Sequence, residues 1–237
     1  MDFTRTKIIC TIGPATQDLA SLRKLHKSGM NVARINMSHA NHKSAKLIID
    51  RIHKINKDSK NSYGKIGILL DTQGPEIRTG DTELTMDLKV GDEVTLTVRD
   101  QIDVETSSIK INYKDLIHSV SKGSKISVDN GLINFMVLSK DEETLLCKVL
   151  DGGKLGSKRH VNLPGVRVNL PSITSKDLDD INFGMRNDVD FIALSFVRDT
   201  EDLEKLQKIL DLKRSKAKIV AKIENQEGLD NIHQISQ

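Results

Sequence analysis

Two textures in the sequence predict an α/β protein built as an unfinished (β/α) barrel with a small all-β domain inserted in it. Strand-like and helix-like segments alternate at both ends of the chain, joined by short links, and that pattern means parallel pairing. Between them, from about Gly80 to Asn162, short Val/Ile/Thr/Leu runs at period two are broken by turn signals.

Taken in order, KIICTIG (from Lys7) is a compact apolar run ending in Gly13-Pro14. Thr16 is then expected to cap a helix carrying Leu19, Leu22 and Leu25 on one face, closed by Gly29. NVARINMS reads as the second strand. The next helix shows Ala45, Ile48, Ile49, Ile52 and Ile55 at helical spacing, and KIGILLDT is the third strand. In the middle stretch EVTLTV and KISV are strands, Asp129-Asn130-Gly131 is a hairpin signal, and Gly152-Gly153 marks another turn. The α/β texture returns with Thr174 and Asp177, a capping-box-like helix start. VDFIALSF is a strand, and Thr200-Glu201-Asp202 opens a helix that ends near Lys213-Arg214. KIVAKIE is the last strand, and LDNIHQI begins a further helix.

A TIM (β/α)8 barrel takes about 250 residues, or roughly 31 per unit. Setting aside an insert of roughly 80 residues leaves about 155, enough for about five units. The expected division is therefore 1–79 and 163–237 for the barrel and 80–162 for the insert. An open doubly wound sheet of five strands is the competing fold, although the first strand is followed by no Gly-rich phosphate loop.

Composition narrows the function. Of 237 residues, 37% are hydrophobic and 29% charged, which describes a folded globular chain. No apolar run approaches the ~20 residues of a membrane span, and the N-terminus lacks a secretory h-region, so no membrane partner is expected. Cys10 and Cys147 stand far apart, so no disulfide framework is expected and a reducing cytoplasm fits. A net charge of +3, 3% aromatics and no Trp argue against a nucleic-acid partner.

Chemistry gathers where strands end. In NVARINMS, Ala33, Ile35 and Met37 share one face while Val32, Arg34, Asn36 and Ser38 share the other. Polar side chains in a core must be paired or wetted, and in barrels the C-terminal strand ends are where catalytic residues collect. Asp71 and Thr72 add oxygen donors after the third strand, followed by Glu76 and Arg78. In KIVAKIE, Lys222 and Glu224 share a face. Each of these reads equally as a structural ion pair. Together, cations and oxygen donors recurring on three strands suit a phosphorylated substrate with a metal ion such as Mg²⁺. The basic loop GGKLGSKRH (152–160) is a further candidate for phosphate contact or a solvated turn.

The strings TKIICTIGPA, GMNVARINMSHA, LDTQGPEIRTG, VDNGLI, VNLPGVRVNLP, DVDFIALSFVR and AKIENQEG resemble the N-terminal half of the pyruvate kinase family, in order and spacing, along the whole chain. The resemblance implies a (β/α)8 domain, a β-rich domain inserted after its third strand, and phosphoryl transfer from phosphoenolpyruvate to ADP, giving pyruvate and ATP in the last step of glycolysis. It implies that Arg34 and Lys222 act on the phosphoryl group. Arg78 and the loop near Arg159 would hold nucleotide phosphates. Glu224 would ligate Mg²⁺ (or Mn²⁺), and Asn36, Ser38, Asp71 and Thr72 (by its main chain) would ligate K⁺. Glu76 stands where K⁺-dependent members carry Glu. The sequence departs from the pattern at His39-Ala40, where His-Gly is usual, and at Arg159, where Lys is common. The A-R-G-D segment with a second Mg²⁺ carboxylate, and the C-terminal domain that helps form homotetramers, are not in the 237 residues. The expectation is an N-terminal part that is inactive alone. The alternative is a non-catalytic ligand- or partner-binding piece that completes a barrel with another chain.

Overall fold

The structure, a computed structural model, describes residues 5–58, 63–82, 85–99, 108–166 and 170–237; the middle of VNLPGVRVNLP therefore lies outside the described residues. The chain divides into two compact units, Met1–Pro75 with Pro171–Gln237, and Glu76–Leu170.

The first unit begins with β1 (Ile8–Thr11), α1 (Leu19–Lys27), β2 (Met30–Asn36), α2 (His42–Lys57) and β3 (Gly67–Asp71). α1 starts two residues later than expected. Asp18, not Thr16, is its N-cap and accepts from the amides of Ala20 and Ser21. Thr16 instead closes the preceding turn, its hydroxyl accepting from Gly13 N–H at 3.2 Å. A cap of the Asp18 kind is worth about 1 kcal/mol. α2 buries all five residues of its predicted apolar stripe and opens with a capping box between Asn41 and Ser44.

The second unit holds β4 (Ile77–Arg78), β5 (Met86–Leu88), β6 (Glu93–Thr97), β7 (Ser108–Lys110), α3 (Leu116–Ser119), β8 (Lys125–Val128), β9 (Ile133–Lys140), β10 (Thr144–Asp151), β11 (Gly153–Leu155) and β12 (His160–Asn162). Seven of these strands form one sheet in the order β4-β12-β8-β9-β10-β6-β7, and β11 pairs with β5 in a second. The Asp129-Asn130-Gly131 hairpin is present, with φ of 54°, 57° and 86° at the three positions, angles that Asn, Asp and Gly tolerate best. Gly152 does not make a tight turn. It is the link by which the chain leaves β10 for β11, and a Cβ there would stand 2.3 Å from the Leu88 carbonyl oxygen, so only glycine fits.

The first unit resumes with α4 (Ser175–Arg186), β13 (Phe191–Leu194), α5 (Thr200–Leu212), β14 (Lys218–Ala221), α6 (Gln226–Asp230) and α7 (Ile232–Ile235). Its sheet runs β1-β2-β3-β13-β14, every pair parallel. Strand order follows chain order with no reversal. A doubly wound sheet reverses order at a switch point, so this is the winding of a (β/α) barrel. One face of the sheet (Ala33, Ile35, Ile68, Leu70, Ile192, Leu194) packs on Leu22, Ile49, Ile52, Ile181 and Leu206 of the helices. Fully burying a side chain of this size contributes roughly 1.5–3 kcal/mol. The other face carries Arg34, Asn36, Leu69, Asp71 and Ala193.

β14 ends at Ala221, one residue short of Lys222, so Lys222 and Glu224 leave from just beyond the strand. Below the sheet end, α5 is anchored by Asp202, which is 1% exposed. Burial by itself raises the Asp202 carboxyl, but hydrogen bonds from Arg198 and Ser172 and the Arg198 charge outweigh that and hold it below its ordinary value. Arg198 donates to it through Nε at 3.1 Å and Nη2 at 3.2 Å. A depressed folded-state pKa adds stability that is present above the unfolded-state value, near pH ~4, and lost as pH falls through the folded-state value. Asp202→Asn is therefore expected to cost about 3 kcal/mol at neutral pH by removing the buried charge that Arg198 neutralises. It should also flatten the pH dependence of stability below pH ~4. Urea unfolding at a series of pH values checks both.

Candidate functional site

Register brings the polar strand ends together. Thr11 pairs with Arg34, Asn36 with Asp71, Ala193 with Asp71, and Leu194 with Ala221. Each of the five parallel strands thus delivers a polar residue at or just past its C-terminal end: Thr11, Asn36, Asp71, Ser195 and Lys222.

Asp71 is the hub. Its side chain is 1% exposed, and a carboxylate so buried is costly unless cations and hydrogen bonds compensate it. Arg34 supplies them from one side: Nε donates to Oδ2 at 2.8 Å, and Nη2 donates to the same oxygen. Lys222 supplies them from the other, with Nζ 3.0 Å from Oδ1. Neither cation is sealed in. The Arg34 and Lys222 side chains are 31% and 26% exposed. Arg34 Nη1 also donates to Thr11 Oγ1 at 2.7 Å, which fixes the plane of the fork.

Lys222 has two further partners. Nζ donates to Ser195 Oγ at 2.8 Å and lies 3.3 Å from Glu224 Oε1. Glu224 Oε2 accepts from the backbone N–H of Phe196 at 3.1 Å, which aims the carboxylate from a position 34% exposed. Among the described residues no group of three or more His, Cys, Asp or Glu side chains is assembled around a metal position. A divalent ion here would hold Glu224 alone and need ligand and water oxygens to complete its shell, as Mg²⁺ commonly does.

Register also sets the oxygen-bearing ends of β2 and β3 side by side, Asn36 against Asp71. Asn36 Oδ1 accepts from Ser38 N–H at 3.0 Å, and Thr72 O accepts from Ser195 Oγ at 2.7 Å. Carboxamide, hydroxyl, carboxylate and carbonyl oxygens form a hard donor set, suited to alkali or alkaline-earth ions and unsuited to thiophilic metals. This set fits K⁺.

Helix α4 holds the two loops that carry these donors. Asp177, fully buried, accepts from Gly74 N–H at 3.0 Å and from the Thr174 cap. Lys176 donates to Met37 O at 2.9 Å and to Asp180 Oδ2 at 2.7 Å. Asp180 Oδ1 meets His42 Nε2 at 2.7 Å, and the His42 ring stacks on Phe183 with centroids 4.4 Å apart. Gly74 sits at φ +74°, and a Cβ there would stand 2.8 Å from both Phe196 Cδ2 and Ser195 Cβ.

Arg78 and Arg159 belong to the second unit, on its β4–β12 edge. Arg78 pairs with Glu76 (Nε to Oε2, 2.7 Å) and donates through Nη1 to Lys158 O at 2.8 Å. Arg159 Nη1 lies 3.5 Å from Asp129 Oδ1, and its backbone N–H donates to Thr79 Oγ1 at 2.9 Å. Sequence reading missed Thr11, Ser195 and Lys176. The first two carried a usable signal, since each ends a strand in a polar residue as Asn36 and Asp71 do. Lys176 carried none, because a helical lysine ordinarily faces solvent.

The whole chain is similar to known proteins. Residues 3–237 match the family model "Pyruvate kinase, barrel domain". A "Pyruvate kinase" of Staphylococcus saprophyticus is 48% identical over 236 residues, covering 98% of this chain and 39% of the relative. "Plastidial pyruvate kinase 2" of Arabidopsis thaliana is 42% identical over 231 residues, with the same coverage of 98% and 39%. "Pyruvate kinase isozyme G, chloroplastic" of Nicotiana tabacum is 40% identical over 231 residues, covering 98% and 41%. The chain thus spans about two fifths of the length of these relatives.

Two outcomes follow from the geometry. Asp71→Asn removes the charge shared by Arg34 and Lys222 and is expected to cost about 3 kcal/mol in urea unfolding. Asp50→Asn, at an exposed Lys46 pair, should stay within about 0.5 kcal/mol. Gly74→Ala combines a left-handed backbone with two close contacts and should cost about 2 kcal/mol.

Proposed function

The chain belongs to the pyruvate kinase family, and on that premise we propose that its strand-end cluster binds phosphoenolpyruvate and serves phosphoryl transfer to ADP. The observation that carries the proposal is the convergence of Arg34 and Lys222 on Asp71, both cations part-exposed and both held at fixed positions before any ligand arrives.

Phosphoryl transfer passes through a loose transition state in which charge spreads over the equatorial oxygens. Catalysis is then mostly placement and fixed positive charge. Arg34 offers a planar fork already oriented by Thr11 and Asp71, and it would take the substrate phosphate. Lys222 is the point charge that would follow the phosphoryl group in flight. Asp71 does no chemistry; it keeps two like charges close without mutual repulsion pushing either away. Glu224 would hold Mg²⁺ or Mn²⁺, and Asn36, Ser38, Asp71 and the Thr72 carbonyl would hold K⁺; bound there, these ions neutralise phosphate charge. In the second unit, Arg78 and Arg159 would hold nucleotide phosphates. Partners are accordingly small anions, and no helix is long and apolar enough to cross a membrane among the described residues. The family's homotetramers and a cytoplasmic setting remain part of this proposal.

A polypeptide of residues 1–237 brings one carboxylate to the divalent ion, and we expect it to bind phosphoenolpyruvate without appreciable turnover in a coupled pyruvate assay. In a protein that carries this chain and turns over, Lys222→Met should lower kcat by a factor on the order of 10²–10³ with a much smaller change in KM. A rise in KM with kcat unchanged would reassign Lys222 to ground-state binding. Glu76 leads us to expect K⁺ activation: pyruvate formation in a K⁺-free tetramethylammonium buffer should fall severalfold, and equal rates in the two buffers would refute it.

A further inference from the structure

Ser195 stands between the two halves of the cluster, buried to 1% exposure at the end of β13. Its hydroxyl has one proton, and the geometry decides where that proton goes. Thr72 O lies 2.7 Å from Oγ, a good acceptor distance, whereas Asp71 Oδ1 lies 3.5 Å away, at the outer limit. With the proton on the Thr72 carbonyl, the lone pairs of Oγ accept from Lys222 Nζ at 2.8 Å. The result is a directed relay, Lys222 N–H to Ser195 O–H to Thr72 C=O. Its frame is rigid. Ser195 N–H donates to Thr72 Oγ1 at 3.2 Å, and Thr72 Oγ1 donates in turn to Ala193 O at 3.1 Å.

We propose that Ser195 is a positioning residue that couples the K⁺ site, through the Thr72 carbonyl, to Lys222 and hence to the substrate phosphate. The inference rests on the reading of the site given above. A cation on Thr72 O draws on the lone pairs that accept the Ser195 proton and weakens that hydrogen bond. The less polarised hydroxyl is then a poorer acceptor for Lys222, because hydrogen bonds in a chain strengthen or weaken together. The ammonium is released toward the phosphate. K⁺ and phosphate therefore favour each other by more than their direct attraction, and Ser195 carries the surplus.

The test is a binding cycle on the full chain by isothermal titration calorimetry. Phosphoenolpyruvate is titrated into KCl and into tetramethylammonium chloride of equal ionic strength, for the native sequence, Ser195→Ala and Ser195→Thr. The ratio of the two affinities is the coupling. About tenfold is expected for the native chain and at least about threefold less for Ser195→Ala, because loss of the hydroxyl frees Lys222 and raises the affinity without K⁺ toward the affinity with it. Ser195→Thr, which keeps the hydroxyl, should restore the native ratio. A purely structural serine would lower both affinities and leave their ratio unchanged, and that result overturns the proposal. If Ser195→Ala does not fold, Ser195→Cys supplies the comparison, since a thiol is a weak donor of similar size. No phosphoenolpyruvate binding by the native chain would overturn the underlying site assignment instead, and this coupling with it.

Discussion

One buried carboxylate organises the site. Asp71 ends a strand that is buried on both faces, and a charge there is tolerated only because cations reach it from the neighbouring strand and from the strand beyond. The same requirement works in reverse. Arg34 and Lys222 carry like charges to one place, and the ionised Asp71 between them makes that placement stable. Folding stability and ligand readiness therefore share a single interaction. Positive charge is assembled as a condition of folding, and under the proposed function a phosphate would meet donors already oriented rather than donors that must be gathered.

The surrounding structure keeps this arrangement in register. Parallel pairing in chain order sets Asn36 beside Asp71 and Thr11 beside Arg34, so neighbouring strand ends fall in one row. Helix α4 then restrains the two loops that follow β2 and β3. Asp177 takes the Gly74 amide, and Lys176 takes the Met37 carbonyl while pairing with the buried Asp180. Backbone groups in loops at a barrel rim lack ladder partners, and side chains of a packed helix supply them here. The helix thus positions loops whose donors it does not itself touch, and a change in its first two turns would act on the site at second hand.

Much of this was legible in the sequence because period and polarity conflict there. Arg34 and Asn36 alternate with Ala33, Ile35 and Met37, and Lys222 and Glu224 alternate with Ile223. A strand with one face in a core and the other lined by paired or working polar groups explains such a pattern. The α2 stripe was equally plain, since five apolar residues at helical spacing leave one face to bury. What escaped has physical reasons. The α1 cap moved from Thr16 to Asp18 because both are capping residues, and only tertiary packing decides which begins the helix. Lys222 was placed inside a strand that ends at Ala221, because sequence alternation persists after ladder hydrogen bonds stop. Ser195 and Thr11 went unmarked because a short hydroxyl at a strand end has a dozen ordinary uses, and its partner arrives from another strand. Gly152 looked like a turn and proved to be a close backbone approach, a distinction made by Leu88, over sixty residues earlier in the chain.

The central claim is that Asp71 couples Arg34 and Lys222 into one unit. A double-mutant cycle of Arg34→Ala and Lys222→Ala, read by urea unfolding at neutral pH, tests it most directly. Removing either cation leaves Asp71 one partner, whereas removing both strands a buried charge. The double variant is therefore predicted to cost more than the sum of the single variants by about 1–3 kcal/mol, and the excess should vanish when Asp71 is Asn. Additivity within about 0.5 kcal/mol would contradict the account.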